Sequence, residues 1–385
     1  GIEEVILPLD NVEEASLVKG IRIRGFDKLS EVVEYLEGVR EYQEIPLMID
    51  HESADSSYDF SDVQGQAALI EYCVVAAAGG HNLLMVGQPG CGKSMIAKRL
   101  PSILPQMNEA EALEVTKIFS VAGLIKGRGG LIRRRPFRAP HHNASTNALI
   151  GGGMRASPGE VSLAHNGVLF LDEITEFEKR TLDSLRQPLE DREVTVSRVK
   201  YTNRYPCAFI LVAAMNPCAC GYFGSDKCQC SDYEVLKYRQ KVSGPLLDRI
   251  DIQKQVNPIH IKTLAAGGQG TPSEVLRARV NAARKIQEAR FAGHDQIHCN
   301  AQMTHGLIRQ HCRLEQGAQR LMEEAYGYFK YSARSFYKFL KIARTMADLD
   351  GADKIRRRDM GAALMSRDLE KDQALIGMRS WQPQG

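Results

Sequence analysis

One short stretch constrains this chain more than any other. The apolar run Leu83-Leu84-Met85-Val86 leads into Gly87-Gln88-Pro89-Gly90-Cys91-Gly92-Lys93-Ser94, and Met95-Ile96-Ala97-Lys98-Arg99-Leu100 continues with helical spacing. The pattern G-x-x-x-x-G-K-[ST] requires a strand before it and a helix after it, and both are present. The glycines let backbone N–H groups surround phosphate oxygens at a helix N-terminus. Lys93 is then placed to reach the β- and γ-phosphates of ATP, and Ser94 to ligate Mg²⁺. The plain alternative, a glycine-rich turn before an ordinary helix, is disfavoured by the two flanking elements.

Two further apolar runs fit the same sheet. GVLFLDE (167–173) ends in Asp172 and Glu173, and AFILVAAMN (208–216) ends in Asn216. Continuous apolar strands alternating with helical stretches predict a parallel sheet covered on both faces, an α/β fold. Paired with the phosphate loop, Asp172 is expected to hold the metal and Glu173 to activate the attacking water. Asn216 is placed to orient that water, a cap or turn role being the alternative. Thr271-Pro272-Ser273-Glu274 reads as a capping box with proline at the first helical position. From there to the end the chain reads as helices.

The flanks divide the chain. Residues 1–42 read strand, helix, strand, helix, too little for a core of their own, and are expected to be the end of a domain whose front is missing. The opening GIEEVILPLD is acidic rather than basic, so no secretory signal is expected, and without an initiator Met the chain reads as a piece of a longer one. Residues 43–59 are polar and acidic without period and read as a linker, as do 257–270. No apolar run approaches the roughly 18 residues of a membrane span.

Charge and cysteine are unevenly distributed. Net charge is only +3, yet Val115 to Gly159 contains no acidic residue and eight basic ones: Lys117, Lys126, Arg128, Arg133, Arg134, Arg135, Arg138 and Arg155. With His141, His142 and the glycines 151–153, this stretch suits a phosphate backbone read without regard to base order. REVTVSRVKYTNRYP (192–206) alternates like a hairpin and carries Arg198 and Lys200. Solvated surface is the competing reading for both segments. Of nine cysteines, Cys218, Cys220, Cys228 and Cys230 form two C-x-C pairs on turns rich in glycine and proline. Four such thiolates can close a tetrahedron around Zn²⁺. With no histidine or water-activating group among them, the site is expected to be structural; free or redox-active thiols are the alternative.

These motifs resemble those of AAA+ ATPases. AGGHNLLMVGQPGCGKS, RRRPFRAPHHNAS, GGGMRASPGEVSLAHNGVLFLDE, VAAMNPCACGYFG and SGPLLDRID are similar to the ComM family of magnesium-chelatase-like ATPases, linked to natural transformation in bacteria. The resemblance covers about residues 60–370. LDEITEF in place of LDELPEF and NPCAC in place of NPCPC depart from the family pattern at no residue given a chemical role. The resemblance implies an AAA+ core over 60–258, with a helix-2 insert at about 119–160, a pre-sensor-1 hairpin at about 191–206 and a zinc loop at 218–230. An all-α lid follows over 271–385, and residues 1–42 are similar to the end of a ribosomal-S5-like domain. It also implies that Lys93, Ser94, Asp172 and Glu173 are the Walker residues and Asn216 sensor 1. Arg249 in Leu-Leu-Asp-Arg-Ile-Asp matches an arginine finger acting on a neighbouring subunit's ATP, and Arg334 in Ser-Ala-Arg matches sensor 2. The function expected is a cytoplasmic, hexameric, ATP-hydrolysing branch-migration helicase acting on branched and single-stranded DNA, with recombinase proteins as further partners. A chelatase-type ATPase that drives metal insertion through a partner subunit is the rival.

Overall fold

The protein is described by a computed structural model covering residues 2–16, 20–43, 58–125, 131–197, 202–258, 270–294, 296–329 and 331–369. It forms two compact units, residues 1–55 with 106–134, and residues 56–105 with 135–385.

In the smaller unit, β1 (Glu4–Pro8) and β2 (Arg22–Phe26) pair in parallel. Phe26, Tyr35 and Tyr42 pack their rings at centroid distances of 5.3 to 6.3 Å, and Arg24 lies over Tyr42. Its helix Glu109–Val121 opens on a true capping box. Glu111 N–H donates to Asn108 Oδ1 at 2.9 Å, and Asn108 N–H donates back to Glu111 Oε2 at 3.0 Å. That helix buries Ala112 and Val115 with Met107.

The larger unit is built on a five-stranded parallel sheet: β3 (Leu83–Gly87), β4 (Phe137–Arg138), β7 (Val168–Leu171), β10 (Ile210–Met215) and β11 (Ile252–Val256), in the order β11-β3-β10-β7-β4. Between β4 and β7 lies the small antiparallel pair β5 (Gly151–Gly152) and β6 (Ser157–Pro158). β8 (Glu193–Ser197) and β9 (Thr202–Pro206) form an antiparallel hairpin before β10. The central strands are buried along their whole length, as strands covered on both faces must be. Successive side chains alternate between two cores. Leu83, Met85, Phe170 and Val212 join one, while Leu84, Val86, Leu169 and Leu211 join the other. The helix Ala67–Gly79 is apolar nearly all round, and it is accordingly buried rather than amphipathic.

After β11 the described residues form helices at Ser273–Arg290, His305–His311, Gln316–Phe329, Ala333–Leu349 and Arg357–Leu364. The capping box read at 271–274 does not form. Pro272 is the N-cap itself rather than the first helical residue, and it supplies no side-chain cap. Instead Ser273 N–H donates to both carboxylate oxygens of Asp59 at 3.2 Å, and Ser273 Oγ accepts the Phe60 N–H at 2.9 Å. A buried charge cluster ties these helices together: Asp348 accepts from Arg290, Arg344 and Asn300. Among the described residues no helix is long and apolar enough to cross a membrane.

Candidate functional site

Parallel order puts the functional residues at one end of the sheet. β3, β10 and β7 are neighbours in register, Met215 beside Val86 and Ala213 beside Leu171. Their C-terminal ends therefore bring the loop after Gly87, Asn216 and Asp172 together, at the edge where ligands bind in open α/β sheets. The helix Lys93–Ile103 begins there.

The expected side chains meet in two groups, one around Lys93 and one around Ser94. Lys93 Nζ donates to Gly87 O at 2.6 Å, Gln88 O at 3.0 Å and Asn216 Oδ1 at 3.3 Å. Ser94 Oγ donates to Asp172 Oδ2 at 2.6 Å, so the two expected Mg²⁺ ligands already share one position. An oxygen pair of this kind, a hydroxyl and a carboxylate, is the hard donor set that Mg²⁺ takes. Glu173 stands apart. Its backbone is left-handed (φ 47°), its N–H donates to Asp172 Oδ1 at 3.0 Å, and its carboxylate is largely exposed. His142 Nδ1 lies 4.0 Å from Glu173 Oε2, and the His142 ring lies 4.0 Å from that of His141. His142 is thus beside the acid expected to activate water.

The two arginines occupy the opposite end of the same strand. Arg249 O accepts Asn82 Nδ2 at 2.9 Å, and Asn82 immediately precedes β3. About 17 Å of strand separates that position from Gly87 at the phosphate end. Arg249 Nη1 donates to Pro245 O at 2.8 Å, and its other terminal nitrogen pairs with Glu190. Arg334 Nη1 lies 3.4 Å from Asp248 Oδ2 and its side chain is 70% exposed. Arg249, Arg334, Asp248 and Lys338 line one cavity of about 240 Å³.

Residues 218–230 gather the four cysteines. Their sulfurs all lie within 4.8 Å of one another. Cys218–Cys220, Cys220–Cys228 and Cys218–Cys228 are separated by 3.3, 3.7 and 3.9 Å. A tetrahedral zinc with Zn–S near 2.3 Å needs sulfurs about 3.8 Å apart. Four thiols are also a donor set that zinc takes. Backbone N–H groups of Gln229 and then Tyr222 bring the Cys220 thiol down to about 6, whereas burial raises Cys228. Cys230 is raised to about 12, because its backbone contact at Cys220 is outweighed by side-chain hydrogen bonding to Cys220 together with burial. Cys73, Cys207 and Cys312 are buried in the fold, and burial pushes their thiols up to about 12, as for inert core cysteines.

The basic residues divide. Arg133 and Arg134 are exposed. Arg135 donates to Pro105 O at 2.5 Å and Asn166 O at 2.7 Å. Arg138 makes a two-pronged pair with Glu160 at 2.6 and 2.8 Å. Both guanidiniums are engaged within the fold, which the run of like charges did not foretell. Arg198 and Lys200 lie outside the described residues. Sequence reasoning also missed Asp59, Glu190 and the place of His142, because their partners are remote in the chain.

Known proteins resemble this chain along most of its length. Residues 59–264 match the family described as magnesium chelatase, subunit ChlI, and residues 270–367 match its C-terminal part. The chain is 39% identical over 372 residues to YifB of Escherichia coli, covering 96% of this chain and 72% of the relative. It is 38% identical over 371 residues to the competence protein ComM of Haemophilus influenzae, covering 94% of this chain and 71% of the relative. To the magnesium-chelatase 38 kDa subunit of Acidiphilium rubrum it is 25% identical over 184 residues, 42% of this chain and 53% of the relative.

Proposed function

Because this chain belongs to the magnesium-chelatase-like AAA+ ATPases, in the branch that holds YifB and ComM, we propose that it is an ATP-driven DNA motor. The reading is a cytoplasmic homo-hexamer that migrates branched DNA in homologous recombination during natural transformation. Residues 60–258 are the ATPase core, 271–385 the lid, and 1–42 the end of an S5-like domain.

The observation that supports the ring in this reading is the separation of Arg249 from the phosphate loop, while similarity to ComM supports DNA as its substrate. The two lie at opposite ends of β3, so Arg249 cannot reach the nucleotide held by its own chain. A neighbouring copy that presents its Arg249 end to this chain's phosphate loop completes the site. Repeated head to tail, such a contact closes into a ring. Arg334 lines the same cavity as Arg249 and would approach the neighbour's nucleotide from the same side.

Within each site Lys93 holds the β- and γ-phosphate oxygens, while Ser94 and Asp172 hold Mg²⁺. When bound, the ion neutralises charge that develops between the β- and γ-phosphates. Glu173 takes the proton of the attacking water, and Asn216, already bonded to Lys93, orients that water. Cys218, Cys220, Cys228 and Cys230 hold one structural zinc. Arg133, Arg134, His141, His142, Arg198 and Lys200 are the proposed contacts to the DNA backbone, while Arg135 and Arg138 shape the segment that carries them. Similarity to ComM over most of the chain, against partial similarity to a chelatase subunit, favours DNA over metal insertion as the work done.

The test is the rate of ATP hydrolysis with and without branched or single-stranded DNA. A several-fold stimulation by DNA, weakening as salt rises, is expected. ATP hydrolysis at one rate with or without either DNA at low salt would count against a DNA motor.

A further inference from the structure

The four-thiolate loop and the helix after it are linked to the nucleotide site in three ways. The loop begins directly after Asn216, whose Oδ1 accepts Lys93 Nζ at 3.3 Å. Its Gly221, at φ +85°, lies against the phosphate loop: a Cβ there would come within 3.0 Å of Pro89 Cδ and 3.1 Å of Pro89 Cγ. Its end passes into the helix Asp232–Arg239 through a capping box at Ser231, the residue after Cys230.

That helix carries the third link. Tyr238 Oη and Thr175 Oγ1 are 2.7 Å apart, and Thr175 lies two residues beyond Glu173. Arg239, buried, donates to Pro217 O at 3.2 Å and lies over the Phe223 ring at 5.2 Å. Phe223 N–H in turn points at Cys218 Sγ, 3.3 Å away. Few apolar side chains support the loop: Cys218 within it and Val235 on the following helix are the buried pair, with Phe223 and Leu236 partly buried against them. A segment this polar depends on its metal for its shape.

We infer that the metal held by Cys218, Cys220, Cys228 and Cys230 is a brace of the phosphate loop, so that metal occupancy sets the affinity for nucleotide. This rests on the reading of the four thiolates as a zinc site. With zinc in place, Gly221 is held against Pro89 and Asn216 against Lys93. Without it, both supports lose their fixed position, and a phosphate cradle displaced by a fraction of an ångström binds more weakly. Loss of zinc then weakens the motor at the binding step.

Gly221 and Gly224 supply the control. Both have positive φ, +85° and +87°, but a Cβ at Gly224 would meet nothing within 4 Å. The two alanine variants share the backbone strain, and only Gly221→Ala presses on Pro89. The experiment measures zinc content, cadmium uptake by its thiolate charge-transfer band, and the Kd of a fluorescent ATP analogue. Samples are the full chain as isolated, the chain stripped by chelator under reducing conditions, the stripped chain with zinc returned, and the two glycine variants.

Stripping is expected to weaken nucleotide binding about tenfold or more, with recovery on adding zinc. Gly221→Ala is expected to weaken binding while Gly224→Ala leaves it unchanged. A stripped chain that binds the analogue as tightly as the zinc form overturns the inference, as does a zinc-bearing Gly221→Ala chain of unaltered affinity. If stripping precipitates the protein, the comparison of the two glycine variants decides alone. A Gly221→Ala chain that has lost its metal must show the stripped affinity, and the inference fails if it does not. A chain that neither carries zinc nor takes up cadmium fails the zinc reading itself, a result separable from zinc-bearing protein whose nucleotide affinity ignores the metal.

Discussion

Asp59 accepts the N–H groups of Ser61 and Ser273, and Arg99 donates to its carbonyl at 2.7 Å. One carboxylate therefore closes the start of a helix that begins 214 residues later. Burial alone would push its carboxyl up, but the N–H and hydroxyl groups of Ser61 and Ser273 hold it below the ordinary 3.8. Its contribution is complete above that ordinary value and is lost as pH falls through the lowered folded value. Asp59→Asn is expected to cost about 1 kcal/mol at pH 7, as loss of a helix cap does. The cost should shrink as pH drops below 3.8. Urea unfolding of both proteins at pH 7 and pH 3 checks this, and an equal gap at the two pH values would sink it. The convergence of Lys93, Ser94 and Asp172 at one end of the sheet was legible because each sits at a strand end or helix start that its neighbours in sequence mark. Asp59 was not, since nothing local marks a residue whose partner folds onto it from so far away. Thr271 looked like the cap for the opposite reason: the local pattern was right and the tertiary partner displaced it.

At the scale of elements, β3, β7 and β10 announced themselves by unbroken apolar runs, because burial on both faces leaves no polar position. β4 did not, since its two residues, Phe137 and Arg138, sit inside a basic run that reads as loop. The same run illustrates what charge counts miss. Arg135 and Arg138 are held by Asn166 and Glu160, whereas Arg133 and Arg134 beside them are exposed. The double replacement Arg133→Ala with Arg134→Ala is expected to weaken DNA binding and to reduce the slope of log K against log salt by about 1 to 2. Hydrolysis without DNA should persist. Arg138→Ala should instead lower thermal stability, because it strands Glu160. Fluorescence anisotropy across a salt series, together with melting curves, separates the two. An unchanged slope in the double variant would remove this segment from the proposed DNA contacts.

The whole molecule is defined by its two ends. Lys93→Ala should abolish productive ATP binding, while Arg249→Ala should bind ATP and hydrolyse it slowly, since arginine fingers contribute on the order of 10³ to 10⁵ in rate. Mixed, the two inactive proteins should recover part of the rate. Interfaces then form in which the intact phosphate loop of one chain faces the intact Arg249 of the other. The check is hydrolysis against mixing ratio, with subunit exchange followed by light scattering. No recovery despite exchange would mean that the arginine serves its own chain or that every site must be sound at once. A full rate for Arg249→Ala alone would remove the finger role.

The distance along β3 has one more consequence. If Arg249 acts on a neighbour's nucleotide as proposed, a solitary chain would hold a nucleotide but lack the group that completes the reaction, and dilution would switch hydrolysis off without any inhibitor. Turnover per chain would climb with concentration until rings saturate. The protein would in effect take a census of its own copies, and its output would follow gene dosage more steeply than in proportion.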